Sequence, residues 1–167
     1  MRWIVVAAAV AGVSLAIYLL RPSAERQVRG RLDAAAEALS SPAGEADIAR
    51  LARLARLRRY LAEDAVIHFA RESEEPIRGR DAIVGLVARA LAPLGAVVEL
   101  RNVRVSIRDD GTVADVGLEA RLVSRDPKAD PPTIDARAAG LTLKKIDGTW
   151  VVASARVMER DDSIRTP

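Results

Sequence analysis

The stretch YLAEDAVIHF, residues 60–69, carries the chain's only histidine, His68, four residues beyond the acidic pair Glu63-Asp64. It reads as the end of a helix, an acidic turn and a short strand, AVIHFA, over residues 65–70. Successive side chains of a strand point to opposite faces. His68 therefore shares a face with Val66 and Ala70, while Ala65, Ile67 and Phe69 take the other. The Ile67 and Phe69 face is the more apolar and is expected to meet the core, which leaves His68 facing a cavity mouth or solvent. Glu63 and Asp64 are expected to close the helix-end turn, as short acidic side chains often do.

Upstream, Val28, Leu32, Ala35, Ala36 and Leu39 recur at helical spacing and stop at SSPAGE, residues 40–45, a breaker-rich loop. Asp47 is placed to cap a second helix, in which Ile48, Leu51, Leu54, Ala55, Arg58 and Leu61 share the expected packed face. Arg50, Arg53, Arg56 and Arg59 form a stripe on the other side, read as a solvated face or as a contact for anionic headgroups.

Downstream, Gly79 and Asp81 open a third helix, with Ile83, Leu86, Val87, Ala90 and Leu91 on its apolar face. The period then changes to two. Val103, Val105 and Ile107 alternate with Arg104, Ser106 and Arg108, but Val98 and Leu100 have the opposite parity, so a bulge or bend is expected near Arg101. Ala114, Val116, Leu118, Ala120 and Leu122 alternate with Asp115, Glu119 and Arg121 in the next strand, the charged set being expected on the outer sheet face. After SRDPKADPP, residues 124–132, come two strands over about 133–146 and 149–159, joined by a primed turn at Asp147-Gly148. Trp150 is expected to seal one end of the core. Helices segregated from an antiparallel sheet make an α+β domain: three helices packed on a strongly curved, mainly antiparallel, cone-like sheet.

The chain has 167 residues, enough for one domain and an appendage. Half the residues are hydrophobic and only 3% aromatic, so alanine, valine and leucine carry the packing. The 26 basic and 23 acidic residues nearly balance, and few rings are present for base stacking, which argues against nucleic acid as a partner. Without cysteine there is no disulfide, thiolate metal site or cysteine nucleophile.

Residues 3–20, WIVVAAAVAGVSLAIYLL, are uncharged and bracketed by Arg2 and Arg21. As a helix this run is about 27 Å long, close to the hydrocarbon core of a bilayer. Trp3 and Tyr18 lie near its ends, where amphipathic rings favour the interface. The run reads as an uncleaved transmembrane anchor over residues 1–21, with a removed signal peptide as the alternative. The organisation read from the sequence is then a linker at 22–27, the domain at 28–160 and a disordered tail at 161–167. Single-pass insertion in a bacterial inner membrane is expected. Counting arginines favours a cytoplasmic domain, whereas the short amino-terminal tail favours an exported one; the exported placement is the expectation.

YLAEDAVIHF, IRGRDAIVGLV and LKKIDGTWVVASARV, in this order and with four strands between and around them, resemble the nuclear transport factor 2-like superfamily, in its SnoaL-like branch. The resemblance covers about residues 28–160. It implies a fold that serves isomerases, dehydratases, cyclases, transport factors and non-catalytic partners alike, so function must be argued from the site. Its enzymes use a cavity-lining base, aspartate or histidine, opposite a hydroxyl or acid donor. In overall architecture the chain also resembles single-span inner-membrane assembly factors of type IV secretion.

His68 is the candidate base, although one histidine without an orienting partner seldom makes a site. Tyr60, Trp150, Arg137 and Arg156 are the other pocket or ligand candidates, the two arginines as holders of an anionic ligand. A lone histidine with no cysteine makes zinc improbable, there is no glycine-rich phosphate loop or nucleophile elbow, and no cofactor or metal is expected. Two functions follow. The favoured one is a membrane-anchored, non-catalytic accessory domain that binds an envelope protein partner or a small apolar ligand, with a homodimer plausible through the sheet face. The other is an isomerase, hydrolase or dehydratase acting on a small hydrophobic substrate with His68 as base.

Overall fold

The computed structural model describes residues 23–41, 44–69, 75–91, 95–124 and 134–158. The proposed anchor, the proline-bearing loop at 125–133 and the tail at 161–167 lie outside these described residues, and no helix among them is long and apolar enough to cross a membrane.

Helix α1, Ala24–Leu39, starts four residues ahead of the apolar spacing because Ser23 caps it, its hydroxyl accepting from the Arg26 amide at 3.3 Å. Val28, Leu32 and Ala36, each one turn apart, are buried. Strands follow as β1, Leu61–His68; β2, Ile77–Arg78; β3, Ala96–Arg108; β4, Val113–Ser124; β5, Ile134–Ile146; and β6, Thr149–Val157. They form one six-stranded sheet in the order β2-β1-β6-β5-β4-β3, antiparallel throughout except where β1 runs parallel to β6. The sheet is thus mixed. Val28 and Leu32 pack on Ala114, Val116, Leu118, Leu143 and Trp150, with Val103, Val105 and Leu141 alongside. Each fully buried aliphatic side chain is worth about 1.5–3 kcal/mol, which is how an aromatic-poor chain holds its core.

Register shifts bend the sheet. One lies between Arg101 and Arg104, where Asn102 adopts φ 54°, so the bend falls where the parity change located it. The β5–β6 connection uses Asp147 at φ 48° and Gly148 at φ 77°, the doubly positive geometry of a primed turn. At the opposite end Gly79, at φ 89°, donates to the Ala65 carbonyl and accepts from Ile83, turning the chain into helix α3, Arg80–Leu91. Ile83 then packs on Ala62, Ala65, Ile67 and Ile77.

Three expectations need correction. Strand β1 begins at Leu61, not Ala65, so Glu63 and Asp64 are not in a helix-end turn. They sit exposed where the pairing with β6 slips between Leu61 and Val66, and Ala62 and Ala65 are buried on either side. Asp47 is the first residue of helix α2, Asp47–Arg58, and pairs with Arg50 at 2.7 Å; the cap position belongs to Ala46. The packed face of α2 is also different. Ile48 is 83% and Leu51 66% exposed, whereas Arg53, from the expected solvent stripe, is 3% exposed. Arg53 can be buried because each of its nitrogens has an acceptor: Nε donates to both Glu45 carboxylate oxygens at 3.1 Å, one Nη to the Ala38 carbonyl and the other to Ser41 Oγ. It ties α2 to the carboxyl end of α1, where the last carbonyls of a helix lack intrahelical donors.

Candidate functional site

Val28 and Leu32 of α1 share a core with Val105, Val116 and Leu141, which lie in register on one face of the sheet. The pleat therefore sends the intervening residues of the same strands to the uncovered face. Two cross-strand rows are formed there. Arg104, Gly117, Gly140, Arg156 and His68 pair in sequence across β3, β4, β5, β6 and β1. Beside them run Ser106, Asp115, Thr142 and Ser154. Together these rows line an open groove of about 620 Å³. That lies within the size range of small-molecule sites.

The groove is electropositive. Asp115 is already engaged, with Arg108 at 2.7 Å and the Thr142 hydroxyl donating to it at 3.1 Å. Arg104 and Arg156 are exposed, and among the described residues neither has an ion-pair or hydrogen-bond partner. At a strand spacing of about 4.8 Å their Cα atoms lie roughly 14 Å apart across the glycine pair. Half-buried His68 stands at the end of the row, likewise without a hydrogen-bond partner among the described residues. Such a groove can hold negative charge; it contains no base paired to an acid.

Of the five residues singled out from the sequence, the structure brings only His68 and Arg156, neighbours across β1 and β6, into the groove. Tyr60 lies at the α2–β1 junction, its ring 4.5 Å beneath the Arg31 guanidinium, which also donates to the Trp150 and Arg59 carbonyls. Trp150 is a core residue, 2% exposed, on the helix-covered face. Arg137 pairs with Asp135 at 3.3 Å beside a separate hollow of about 180 Å³ next to Val98, Leu122 and Val157. Sequence reasoning missed Arg104 and the two glycines; the signal was their outward parity, which becomes a site only once five strands are in register. Among the described residues no cluster of His, Cys, Asp or Glu could hold a metal ion.

Residues 44–156 match the SnoaL-like domain family model. The chain belongs to the SnoaL-like domain family. Its fold is shared with solved structures at low identity. One is a nuclear transport factor 2-like protein with a cystatin-like fold from Novosphingobium aromaticivorans, 16% identical, covering 92% of both chains with a TM-score of 0.64. Another is a candidate scytalone dehydratase from the same organism, 18% identical over 80% of this chain and 81% of that one, TM-score 0.63. A third, from Catenulispora acidiphila in complex with S-DNPA, is 15% identical over 85% and 97%, TM-score 0.62. No curated protein matches the sequence. At these identities the structures establish the SnoaL-like fold alone.

Proposed function

We propose that this SnoaL-like domain is anchored in a bacterial inner membrane by residues 3–20 and binds a ligand or protein partner through its uncovered sheet face, without catalysis. One observation carries the binding reading: His68 stands unpartnered, among the described residues, in an open groove beside two free arginines. General acid–base work needs a base oriented by a second group and a site that excludes water. The competing reading, an isomerase, hydrolase or dehydratase with His68 as base, requires both. A lining with two arginines also favours a polar ligand over the apolar one expected from the sequence.

The anchored reading draws support from the uncharged run itself and from α2. Ile48, Leu51, Ala52 and Ala55 form an exposed apolar stripe at helical spacing, with Arg56 and Arg59 beside it. That is the pattern of a helix resting on a bilayer surface. Two measurements test the proposal. Alkaline extraction should leave the full chain in the membrane fraction and release a chain lacking residues 1–22; release of both would refute the anchor. Purified protein incubated with a cell metabolite extract should deplete nothing by mass spectrometry, and a depletion abolished by His68→Asn would establish the catalytic reading instead.

A further inference from the structure

Gly117 and Gly140 face each other at the centre of the groove, inside β4 and β5. Glycine in a strand interior weakens the strand, for entropic reasons and for want of a side chain to pack. Nothing among the described residues demands it here. Neither residue has a positive φ, and a Cβ built on either would meet no atom within 4 Å. Paired strand glycines with open space above them suit an object that approaches the backbone closely from outside.

The side chains around the pair define that object. Arg104 and Arg156 flank it in the same cross-strand row, His68 lies beyond, and the hydroxyls of Ser106, Thr142 and Ser154 line the adjacent row. The one carboxylate, Asp115, is already held by Arg108 and Thr142. We infer that the groove is a binding site for a small organic anion, whose carboxylate or phosphate group is clamped by Arg104 and Arg156 while its body lies flat on the Gly117–Gly140 floor. Guanidinium groups suit such oxygens because their planar fork donates two parallel hydrogen bonds. A second copy of the chain is a poorer occupant, since stacking two of these faces would oppose four unneutralised arginines, and like charges in apposition are strongly disfavoured.

The inference names the ligand class for the binding reading above and rests on it. The test is calorimetric titration of the full-length chain in neutral detergent with inorganic phosphate, succinate, benzoate and, as an uncharged control, benzamide. At least one anion should bind with Kd below about 1 mM, and benzamide should not bind. Phosphate alone binding would assign the site to a phosphate group; the carboxylates alone, to an organic acid. Arg104→Gln and Arg156→Gln should each weaken binding by about tenfold or more, the usual scale for a charge-assisted hydrogen bond. Gly140→Val should block binding while the melting temperature holds or rises, because a Cβ at this position meets no atom within 4 Å and valine suits a strand. No anion binding, or binding that ignores all three substitutions, would overturn the inference. So would sedimentation showing a dimer that Gly140→Val dissociates and anions leave intact. Turnover of a bound anion would instead overturn the non-catalytic reading and leave the site standing.

Discussion

Arg53 offers the sharpest test of how the helices are held to one another. Its side chain is 4% exposed and that of its partner Glu45 12%, so the pair is largely removed from water. Substituting Arg53→Met keeps most of the aliphatic volume while stranding the Glu45 carboxylate, the Ala38 carbonyl and the Ser41 hydroxyl. Removing one partner of a buried ion pair costs about 3–5 kcal/mol, mainly because the other charge stays buried. For a domain of this size each kcal/mol lowers the melting temperature by about 3–4 °C. The expected loss is thus about 10–20 °C, read by circular dichroism. The double variant Arg53→Met with Glu45→Gln removes the stranded charge and should recover about half of it, because coupled residues are not additive. A single variant melting within about 3 °C of the parent would refute the buried network and return Arg53 to the solvent.

The opposite result is expected on the other side of the same helix. Ile48→Gln and Leu51→Gln should each change stability by less than about 0.5 kcal/mol in denaturant titrations, whereas a packed leucine would cost several times more. At the β5–β6 turn, Gly148→Ala should cost about 1–2 kcal/mol. Its Cβ meets nothing within 4 Å, so the penalty comes from the φ of 77° alone. Gly148→Asn should lose less, because asparagine tolerates the left-handed region. Equal losses for alanine and asparagine would show that φ is not the cause.

What could be read from the sequence divides by the range of the interaction that decides it. The Asp147-Gly148 turn, the parity change near Arg101 and the inward Ile67 depend on a few neighbouring residues, and each lies where its local pattern located it. The parallel pairing of β1 with β6 joins residues such as His68 and Arg156, far apart along the chain, and no local pattern announces it. Without it His68 and Arg156 are two unrelated polar residues; with it they share a groove.

Helix α2 failed for a different reason. Its sequence, DIARLARLARLR, repeats in threes. A step of three residues falls about 60° short of a full turn on a helix of 3.6. Leu51, Leu54 and Leu57 therefore spiral around the cylinder instead of stacking, and so do Arg50, Arg53 and Arg56. Apolar residues therefore occupy more than one face, Ile48, Leu51, Ala52 and Ala55 on one and Leu54 and Leu57 on another, and periodicity alone does not choose which is buried. The choice is made by partners outside the helix: Glu45, Ala38 and Ser41 can satisfy a buried guanidinium, so the face carrying Arg53 and Leu57 turns inward. Leu51, about 120° away from Leu57, is then left in solvent. The same satisfaction rule separates the arginines of the two faces. Arg53 is buried with each of its three nitrogens on an acceptor, whereas Arg104 and Arg156 lie exposed on the open sheet with no ion-pair or hydrogen-bond partner among the described residues.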